Sequence, residues 1–388
     1  MNKSYFQNLQ NTLGQHERHL PCIVIDLDIL DQNIKHYLAK QPDSLGTRLV
    51  VKSIPVPGLL KYLSNQLNTQ QYMVFHEPFL GKVLQQREQA TDILLGKPMP
   101  VKSVAHFYKN HSVNQHRIQW LIDTEERLQQ YLQLSRSMNV SLEVNLEVDV
   151  GLHRGGFSSL NSIKRILTII KNVPDQMSFR GLMGYDPHVV KLPKWLSSPN
   201  KAYQKSQERY AAILKMIKQE FPAFWKEDLC INGGGSPSVP LHQSQTVANE
   251  ISVGSLFLKP SDFDLPGLAI YQACCFIAAP ILKKRTGTKL PGLERFHKSL
   301  ARLKPNWRHS YFIYGGHWLA DACFPADAVS NPLFGPSSNQ SLINSKDGSF
   351  EVDDYLFLRP RQSEAVLLQF EEVIGVRQDK IEVVWRTF

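Results

Sequence analysis

The sequence predicts a (β/α)8 barrel, the TIM-barrel fold, followed by a mostly-β domain. Three observations carry this prediction. Up to roughly residue 265, short apolar runs alternate with helical patterns, which is typical of a parallel sheet with crossover helices. Beyond that point the helical period is largely lost and strand-like runs alternate with turn-rich segments. The length of 388 residues exceeds what one hydrophobic core usually serves, so two domains are expected.

Nine apolar runs of strand length precede residue 265, one more than an eight-stranded barrel needs. We predict that the first run is used elsewhere, shared with the β domain, and that the barrel begins with the run ending in Lys52. The predicted domains are a barrel at residues 1–265 and a β domain at residues 266–388. The nine runs are Cys22–Leu27, Arg48–Lys52, Tyr72–Phe75, Asp92–Leu95, Ile118–Asp123, Leu142–Asp149, Gly181–Tyr185, Leu229–Asn232 and Ile251–Val253.

The C-terminal part is predicted to hold short strands between loops. The segment Phe324–Asp347 is rich in Pro, Ser, Asn and Gly and is interpreted as loop. An open doubly wound sheet is the alternative to the barrel, but the first strand-to-helix turn has no glycine fingerprint for a dinucleotide. The predicted C-terminal strands are Gln272–Leu282, Tyr311–Tyr314, Tyr355–Leu358, Val366–Phe370 and Lys380–Trp385.

The formal net charge is +9, from 44 basic and 35 acidic residues, and the basic residues are spread along the chain. We interpret this surplus as a solvated basic surface rather than a nucleic-acid-binding face; it also suits an anionic small ligand. No apolar run reaches membrane-spanning length, and the first residues lack the apolar core of a signal peptide. A cytoplasmic protein that binds neither nucleic acid nor membrane is expected. The five cysteines include no CxxC pair, which argues against disulfide bonds and structural zinc.

Lys52 ends the first barrel run, Arg48-Leu-Val-Val-Lys52. A lysine in an apolar run is costly to bury as a cation. Burial makes such an amine nucleophilic, as Schiff-base chemistry requires. The alternative, a lysine that emerges from the strand end into solvent, stays open.

Two later runs end in residues that the barrel would bring to the same face as Lys52. Arg154 follows Glu147-Val-Asp149-Val-Gly151-Leu-His153 in a glycine-bounded turn. A salt bridge from Arg154 to Asp149 or Glu147 is the alternative role. Tyr185 ends the sixth barrel run and precedes a long loop, with a core aromatic as its alternative.

A third turn, Gly233-Gly234-Gly235-Ser236, allows backbone N–H groups to converge on an anion, and Ser236 or Ser238 adds a hydroxyl. Gly254 and Ser255 follow the last barrel run and are expected to close this cradle. Phosphate sites in TIM barrels often use the loops after strands 7 and 8, which these segments would be.

In their order along the chain, these segments resemble the motifs of fold-type III pyridoxal-phosphate (PLP) enzymes. They are most similar to the D-threonine aldolase and D-serine dehydratase branch of the alanine racemase-like family. The resemblance implies a barrel plus a β domain, PLP as cofactor, a homodimer and a D-amino acid substrate. The segments that carry it are Pro21–Ile34, Arg48-x-x-x-Lys52, Glu147-Val-Asp149-Val-Gly151-x-x-Arg154-x-Gly156, Gly181-Leu-x-x-Tyr185, Gly233–Ser236 and Glu250-x-x-x-Gly254-Ser255.

The same resemblance implies residue roles. Lys52 would form the Schiff base and Arg154 would face the pyridine nitrogen. The implied reaction is that of a PLP-dependent lyase on a β-hydroxy D-amino acid, by aldolase-like cleavage or dehydratase-like deamination. The remaining implied cofactor-binding residues are Tyr185, Gly234, Gly235, Ser236, Gly254 and Ser255.

The sequence departs from the family at two places. Val50 stands where a histidine often precedes the lysine by two residues. Gln362 and Glu364 stand where the aldolase and dehydratase bind a divalent metal through a His-x-Cys pair. Since zinc prefers nitrogen and sulfur ligands, a divalent metal is doubtful and no metal ligand is assigned.

Without that metal, another group must act on the β-hydroxyl. We favour His317, in Tyr314-Gly-Gly-His317, as the second catalytic residue. His188, Asp321 and Glu364 are the other candidates.

Three alternative functions remain. An amino acid racemase would need a second base, for which Tyr311 or Tyr314 could serve. A non-catalytic PLP-binding protein would resemble the barrel alone, so the β domain argues against it. A metal hydrolase is disfavoured because the chain lacks an HxH or HExxH pair.

Overall fold

The computed structural model describes residues 2–85, 91–113, 116–193, 195–289, 292, 294–296 and 301–388. The chain forms two compact units. We call residues 37–52 and 60–254 the barrel unit, and residues 1–36, 53–59 and 255–388 the β unit. The domain boundary between residues 265 and 266 stays a prediction.

The strands and α-helices are numbered in the order in which they occur along the chain. The strands are β1 (Cys22–Asp26), β2 (Gly46–Val50), β3 (Gln71–Val74), β4 (Asp92–Leu95), β5 (Arg117–Ile122), β6 (Leu142–Val148), β7 (Met177–Gly184), β8 (Cys230–Gly233), β9 (Glu250–Val253), β10 (Cys275–Thr286), β11 (His309–Tyr314), β12 (Ala320–Phe324), β13 (Val329–Ser330), β14 (Gln340–Ser345), β15 (Tyr355–Pro360), β16 (Glu372–Arg377) and β17 (Lys380–Arg386). The α-helices are α1 (Lys3–Leu13), α2 (Leu27–Leu38), α3 (Pro57–Gln66), α4 (Glu77–Gln85), α5 (Val101–Asn110), α6 (Glu125–Met138), α7 (Leu160–Lys171), α8 (Pro199–Glu220), α9 (Val239–Ser244) and α10 (Ser255–Leu258).

Strands β2 to β9 form a closed barrel in which every neighbour pair is parallel. The barrel closes where Gly46 of β2 pairs with Glu250 of β9. Each of the eight predicted barrel runs is a strand, with ends that differ by a few residues. The predicted TIM-barrel fold is therefore confirmed.

A charged layer fills the barrel interior near the amino-terminal ends of the strands. Arg48 is completely buried, and its guanidinium binds both carboxylate oxygens of Glu250, with Nε–Oε1 at 2.6 Å and Nη2–Oε2 at 2.8 Å. Its Nη1 also donates to Asp92 Oδ1 at 2.8 Å. Burial alone would raise the pKa of Glu250, but the charge and hydrogen bonds of Arg48 outweigh it and hold that pKa below its usual value.

Amide side chains extend this charged layer around the barrel. Gln119 Nε2 donates to Asp92 Oδ1, and Asn145 Nδ2 donates to Gln119 Oε1. On the other side, Asn232 Nδ2 donates to Glu250 Oε1 at 2.8 Å. Six strands thus supply polar groups to one hydrogen-bonded layer, which satisfies the buried charges.

An apolar cluster lies nearer the carboxyl-terminal ends of most of these strands. The rings of Phe75 and Tyr185 pack against it from just beyond the ends of β3 and β7. This cluster separates the charged layer from the loops at the barrel mouth. Its members are Val50, Met73, Leu94, Leu121, Met183 and Cys230.

The β unit contains a mixed sheet in the order β13-β14-β11-β10-β1-β16-β17, with β15 paired to β10 and β12. Strand β1 pairs antiparallel with β10 and parallel with β16. The first apolar run therefore lies outside the barrel, as predicted. Among the described residues, no helix is both long and apolar enough to span a membrane.

Two predictions for the β unit are wrong. Residues Val366–Phe370 are not a strand; Leu367–Gln369 form a 3-10 turn and the strand begins at Glu372. Short apolar runs do not distinguish a strand from a buried helical turn. Within Phe324–Asp347, interpreted as loop, β14 is a strand whose polar side chains are buried and hydrogen-bonded, such as Asn344 Nδ2 to Ser310 Oγ at 3.0 Å.

We expect E250Q to lower the free energy of unfolding by about 3 kcal/mol, because Arg48 stays buried with its charge less fully balanced. Urea unfolding at neutral pH measures this loss. Glu220, which pairs with Lys164 at 2.6 Å on the surface, offers the matched control. E220Q should change stability by about 0–1 kcal/mol. Equal losses in the two variants would contradict a special cost for the buried layer.

The difference between wild type and E250Q should also depend on pH. Because the folded-state pKa of Glu250 is lowered, its contribution is present above the pKa of the unfolded carboxyl, about 4.3. That contribution is lost as the pH falls through the lower folded-state pKa. The stability difference should therefore shrink in acid, and a difference that grows in acid would be inconsistent with a paired carboxylate.

Candidate active site

Lys52 lies just past the end of β2, in a 3-10 turn formed by Val51–Ser53. The side chain is half-buried, and its Nζ lies 4.5 Å from the centroid of the Phe75 ring. This is a cation–π distance, which suits an amine held in a partly apolar setting. The predicted strand-end position is thus displaced by two residues into the following turn.

Arg154 lies in the turn after β6, with its guanidinium carbon 4.9 Å from the centroid of the Tyr185 ring. Asp149 is engaged elsewhere: its Oδ1 accepts from the N–H groups of Gly151 and His153, and its Oδ2 contacts His153 Nδ1 at 2.7 Å. Burial would raise the pKa of Asp149, but these hydrogen bonds outweigh it and lower that pKa. The N–H groups of the turn therefore bind the carboxylate of Asp149, while the guanidinium of Arg154 lies over the Tyr185 ring.

Lys52 and Arg154 are brought to the same mouth of the barrel. Lys52 contacts Phe75 and Arg154 contacts Tyr185, and both rings pack against the same apolar cluster. All four residues follow the carboxyl ends of barrel strands, which is where TIM-barrel active sites are built.

The loop after β8 needs its glycines. Gly234 has φ of +71°, a conformation that side chains with Cβ rarely adopt. A Cβ on Gly235 would lie 2.7 Å from Tyr185 Cε2, so the ring occupies the space that a side chain would need. The glycine loop and Tyr185 are therefore packed directly against each other.

The loops after β8 and β9 also meet. The N–H of Gly254 lies 3.5 Å from Ser236 Oγ, a long hydrogen bond between the two predicted phosphate-binding turns. Ser255 follows as the first residue of the β unit, where its buried hydroxyl lies 2.9 Å from Ser363 Oγ and 3.3 Å from Glu364 Oε2.

Three buried residues lie behind the glycine loop. The sequence does not predict Asp186 and His242, whereas it offers Ser238 as an alternative hydroxyl for the anion. Asp186 Oδ1 accepts from Ser238 Oγ at 2.6 Å, and Asp186 Oδ2 lies 2.9 Å from His242 Nε2. Asp186 directly follows Tyr185 in the sequence, whereas His242 belongs to no recognisable motif.

In the β unit, Gln362 Nε2 donates to Asp262 Oδ2 at 2.8 Å. Glu364 Oε2 lies within hydrogen-bonding distance of the Ser255 and Ser363 hydroxyls. One amide and one carboxylate do not fit a zinc ion, which prefers nitrogen and sulfur ligands. In the part of the chain that the structure describes, no three His, Cys, Asp or Glu residues are grouped to hold a metal.

The candidate acid–base groups of the β unit differ in access. His317 is exposed in the turn after β11. Tyr311 is fully buried and its hydroxyl donates to the carbonyl of Asp347. Burial and the nearby Asp347 raise the pKa of Tyr311 to about 12, so its hydroxyl stays protonated and is not available to accept a proton. Tyr314 is exposed.

The residues at the barrel mouth fit pyridoxal phosphate. They provide an amine for an aldehyde, a guanidinium for a ring nitrogen, an aromatic ring, and a glycine loop that side chains with Cβ would obstruct. A cofactor that is at once an aldehyde, an aromatic heterocycle and a phosphate ester requires this combination.

Comparison with known proteins agrees with this chemistry. Residues 25–261 match the family of alanine racemase N-terminal domains. The match covers more than half of the chain, so the protein belongs to this family. The resemblance to fold-type III pyridoxal-phosphate enzymes is thereby confirmed.

Relatives with similarity over nearly the whole chain include proteins named as aldolases and dehydratases, and also alanine racemases. The 3-hydroxy-D-aspartate aldolase of Paracoccus denitrificans is 21% identical, with 96% of this chain and 92% of that protein covered. The D-threonine aldolase structure from Filomicrobium marinum has a TM-score of 0.73 at 15% identity, covering 94% of each chain. The D-threo-3-hydroxyaspartate dehydratase from Delftia sp. HT23 has a TM-score of 0.70 at 14% identity, covering 95% of this chain and 97% of that one. At these identities the two structures share the fold of this protein.

We expect G235A to lower the free energy of unfolding by about 1–3 kcal/mol, because its Cβ forces the Tyr185 ring to move. Gly155 provides a control at the same barrel mouth, since the nearest atom to its added Cβ is Glu147 Oε2 at 3.6 Å. G155A should stay within about 0.5 kcal/mol of wild type. Urea unfolding of both variants checks the expectation, which fails if G235A is as stable as G155A.

Proposed function

We propose that this protein is a pyridoxal-phosphate-dependent lyase that acts on a D-amino acid with a β-hydroxyl group. The observation that carries the proposal is the set of Lys52, Arg154, Tyr185 and the glycine loop at one barrel mouth, in a chain of the alanine racemase N-terminal domain family. The similarity to 3-hydroxy-D-aspartate aldolase over most of both chains favours lyase activity.

Each residue of the set has a proposed role toward the cofactor. Lys52 would hold it covalently through Nζ, Arg154 would face its ring nitrogen, and Tyr185 would contact it through the aromatic ring. The phosphate would bind to Gly234, Gly235, Ser236 and Gly254, with Ser255 next in the chain. The bound cofactor would supply an electron sink that weakens bonds at the substrate Cα.

Two nitrogen-containing side chains at the barrel mouth, those of Arg154 and Lys52, would take part in the chemistry. The guanidinium of Arg154 would donate a hydrogen bond to the cofactor's ring nitrogen, which would leave that nitrogen unprotonated and make the ring a weaker electron sink. The amine of Lys52, half-buried beside Phe75, can hold or move a proton at the substrate Cα.

The β-hydroxyl needs its own acid or base, and we propose His317 for this role. Aldol cleavage requires removal of the proton from the β-hydroxyl. Dehydration instead requires protonation of the β-hydroxyl oxygen, so that it leaves as water. An imidazole can do either, because one ring nitrogen accepts a proton and the other donates one, and His317 is exposed. His188, Asp321 and Glu364 remain the other candidates. We further propose that the protein is a cytoplasmic homodimer, which sedimentation would test for its oligomeric state.

Purified wild type incubated with PLP should absorb in the visible range, and K52A should not. Borohydride reduction followed by peptide mapping should locate the cofactor on Lys52. K102A, which changes an exposed lysine of α5, should behave as wild type. A wild type that stays colourless with PLP would overturn the proposed function.

D-3-hydroxyaspartate, D-threonine and D-serine should then be assayed for aldehyde, keto acid and L-enantiomer, with and without a chelator. We expect aldehyde or keto acid from a β-hydroxy substrate. Formation of the L-enantiomer alone would favour a racemase. Loss of activity with chelator would show a metal requirement despite Gln362 and Glu364.

We expect H317Q to lower kcat by about 10²–10⁴-fold with unchanged visible absorbance, because general acid–base catalysis contributes that much. H106Q, on the exposed face of α5, is the matched control and should keep full activity. Full activity of H317Q would assign the role to another residue.

A further inference from the structure

Asp186, Ser238 and His242 form a buried polar set in the barrel unit, with exposures of 2%, 0% and 1%. One carboxylate joins the other two side chains: Ser238 Oγ donates to Oδ1 at 2.6 Å, and His242 Nε2 lies 2.9 Å from Oδ2. We call these three residues the clamp. Their burial is costly unless each polar atom is paired, and both carboxylate oxygens are paired.

The clamp contacts the glycine loop at each of its three glycines. The N–H of Gly235 donates to Ser238 Oγ at 3.3 Å. A Cβ on Gly233 or Gly234 would lie 3.0 Å from the His242 ring, so the backbone of both glycines packs closely against the imidazole. A shift of the Ser238 or His242 side chain would therefore move the loop.

The far side of His242 is fixed as well. Its Nδ1 lies 2.9 Å from Thr246 Oγ1, and the Tyr203 ring makes a T-shaped contact with the imidazole, with centroids 5.0 Å apart. With both ring nitrogens bound, the imidazole has one orientation. This is how a supporting residue holds a binding loop within the small tolerance that a site requires.

The clamp contains a serine, a histidine and an aspartate, but it is not a hydrolase triad. In such a triad the histidine contacts the serine and takes its proton. Here the carboxylate lies between them: Ser238 Oγ donates to Asp186, and His242 contacts the other oxygen. All three are buried behind the loop, so they have a supporting role.

A buried polar network adds little net stability compared with apolar side chains of the same volume, but it specifies one arrangement of its members. Its location behind the glycine loop therefore favours a role in specifying loop geometry. Resting on the proposed function, we propose that Asp186, Ser238 and His242 are positioning residues that hold the Gly233–Ser236 loop in its phosphate-binding conformation. They act through the loop and make no contact with the cofactor.

The test compares the affinity for PLP with that for pyridoxal, which has the same aldehyde and ring but no phosphate. The dissociation constants are measured from the visible absorbance of the Lys52 adduct. In H242L and S238A the constant for PLP should rise about tenfold or more, whereas that for pyridoxal should change less than about twofold. H242Q, which keeps a donor toward Asp186, should retain most of the preference for PLP.

The matched control is S206A. Ser206 is as buried as Ser238 and donates to the Val150 carbonyl at 2.8 Å. Its loss should leave the ratio of the two dissociation constants unchanged, even if stability falls. S238A removes a single oxygen atom, so it decides the question if H242L fails to fold.

The outcomes separate this inference from the proposed function. A wild type that binds neither ligand overturns the proposed function. A wild type that binds PLP, with S238A showing an unchanged ratio or equal weakening for both ligands, overturns the positioning role alone. A ratio that changes equally in S206A also overturns it, because the effect would then reflect general loss of packing.

Discussion

The ion pair between Arg48 and Glu250 fixes the alignment on which the rest of the barrel depends. It joins the first and last barrel strands, β2 and β9, where the sheet closes. Both residues point inward, and a slip of one position would turn their charges toward the opposite face. Because a buried charge without its partner is costly, such slips are strongly disfavoured. Lys52 and Gly254 each follow four residues after a member of this pair, so the ion pair sets their height at the barrel mouth.

Polar and apolar layers alternate along the barrel axis. The charged layer lies near the amino ends of the strands, the apolar cluster lies above it, and the mouth carries Lys52, Arg154 and the glycine loop. The apolar cluster supports the rings of Phe75 and Tyr185, and each ring in turn supports a cation. Packing of uncharged side chains therefore positions Lys52 and Arg154. The glycine loop is held differently, by the hydrogen-bonded clamp.

Much of this could be predicted from the sequence, because barrel strands and their end residues are local features. Apolar runs identified every barrel strand, and glycine spacing marked the loop after β8. The clamp could not be predicted, since Asp186 and His242 are brought together only by the closed barrel. Strand β14 escaped prediction because polar residues are buried in it beside apolar ones. Asn344 is accommodated there by hydrogen bonds to Ser310 and Thr288, which composition does not reveal. The prediction of a strand at Val366–Phe370 was wrong because an apolar run can equally form a buried helical turn.

The division of the chain between the units has a consequence for biosynthesis. The barrel has all its strands once Val253 has been made, so it can close while the remainder is still being synthesised. Strand β1 must wait for its neighbours β10 and β16, the second of which is separated from it by almost the whole chain. Until then its edges have no native partner, and an unpaired apolar strand is prone to aggregation. The slow step of maturation is therefore expected in the β unit, where contacts are most distant in sequence.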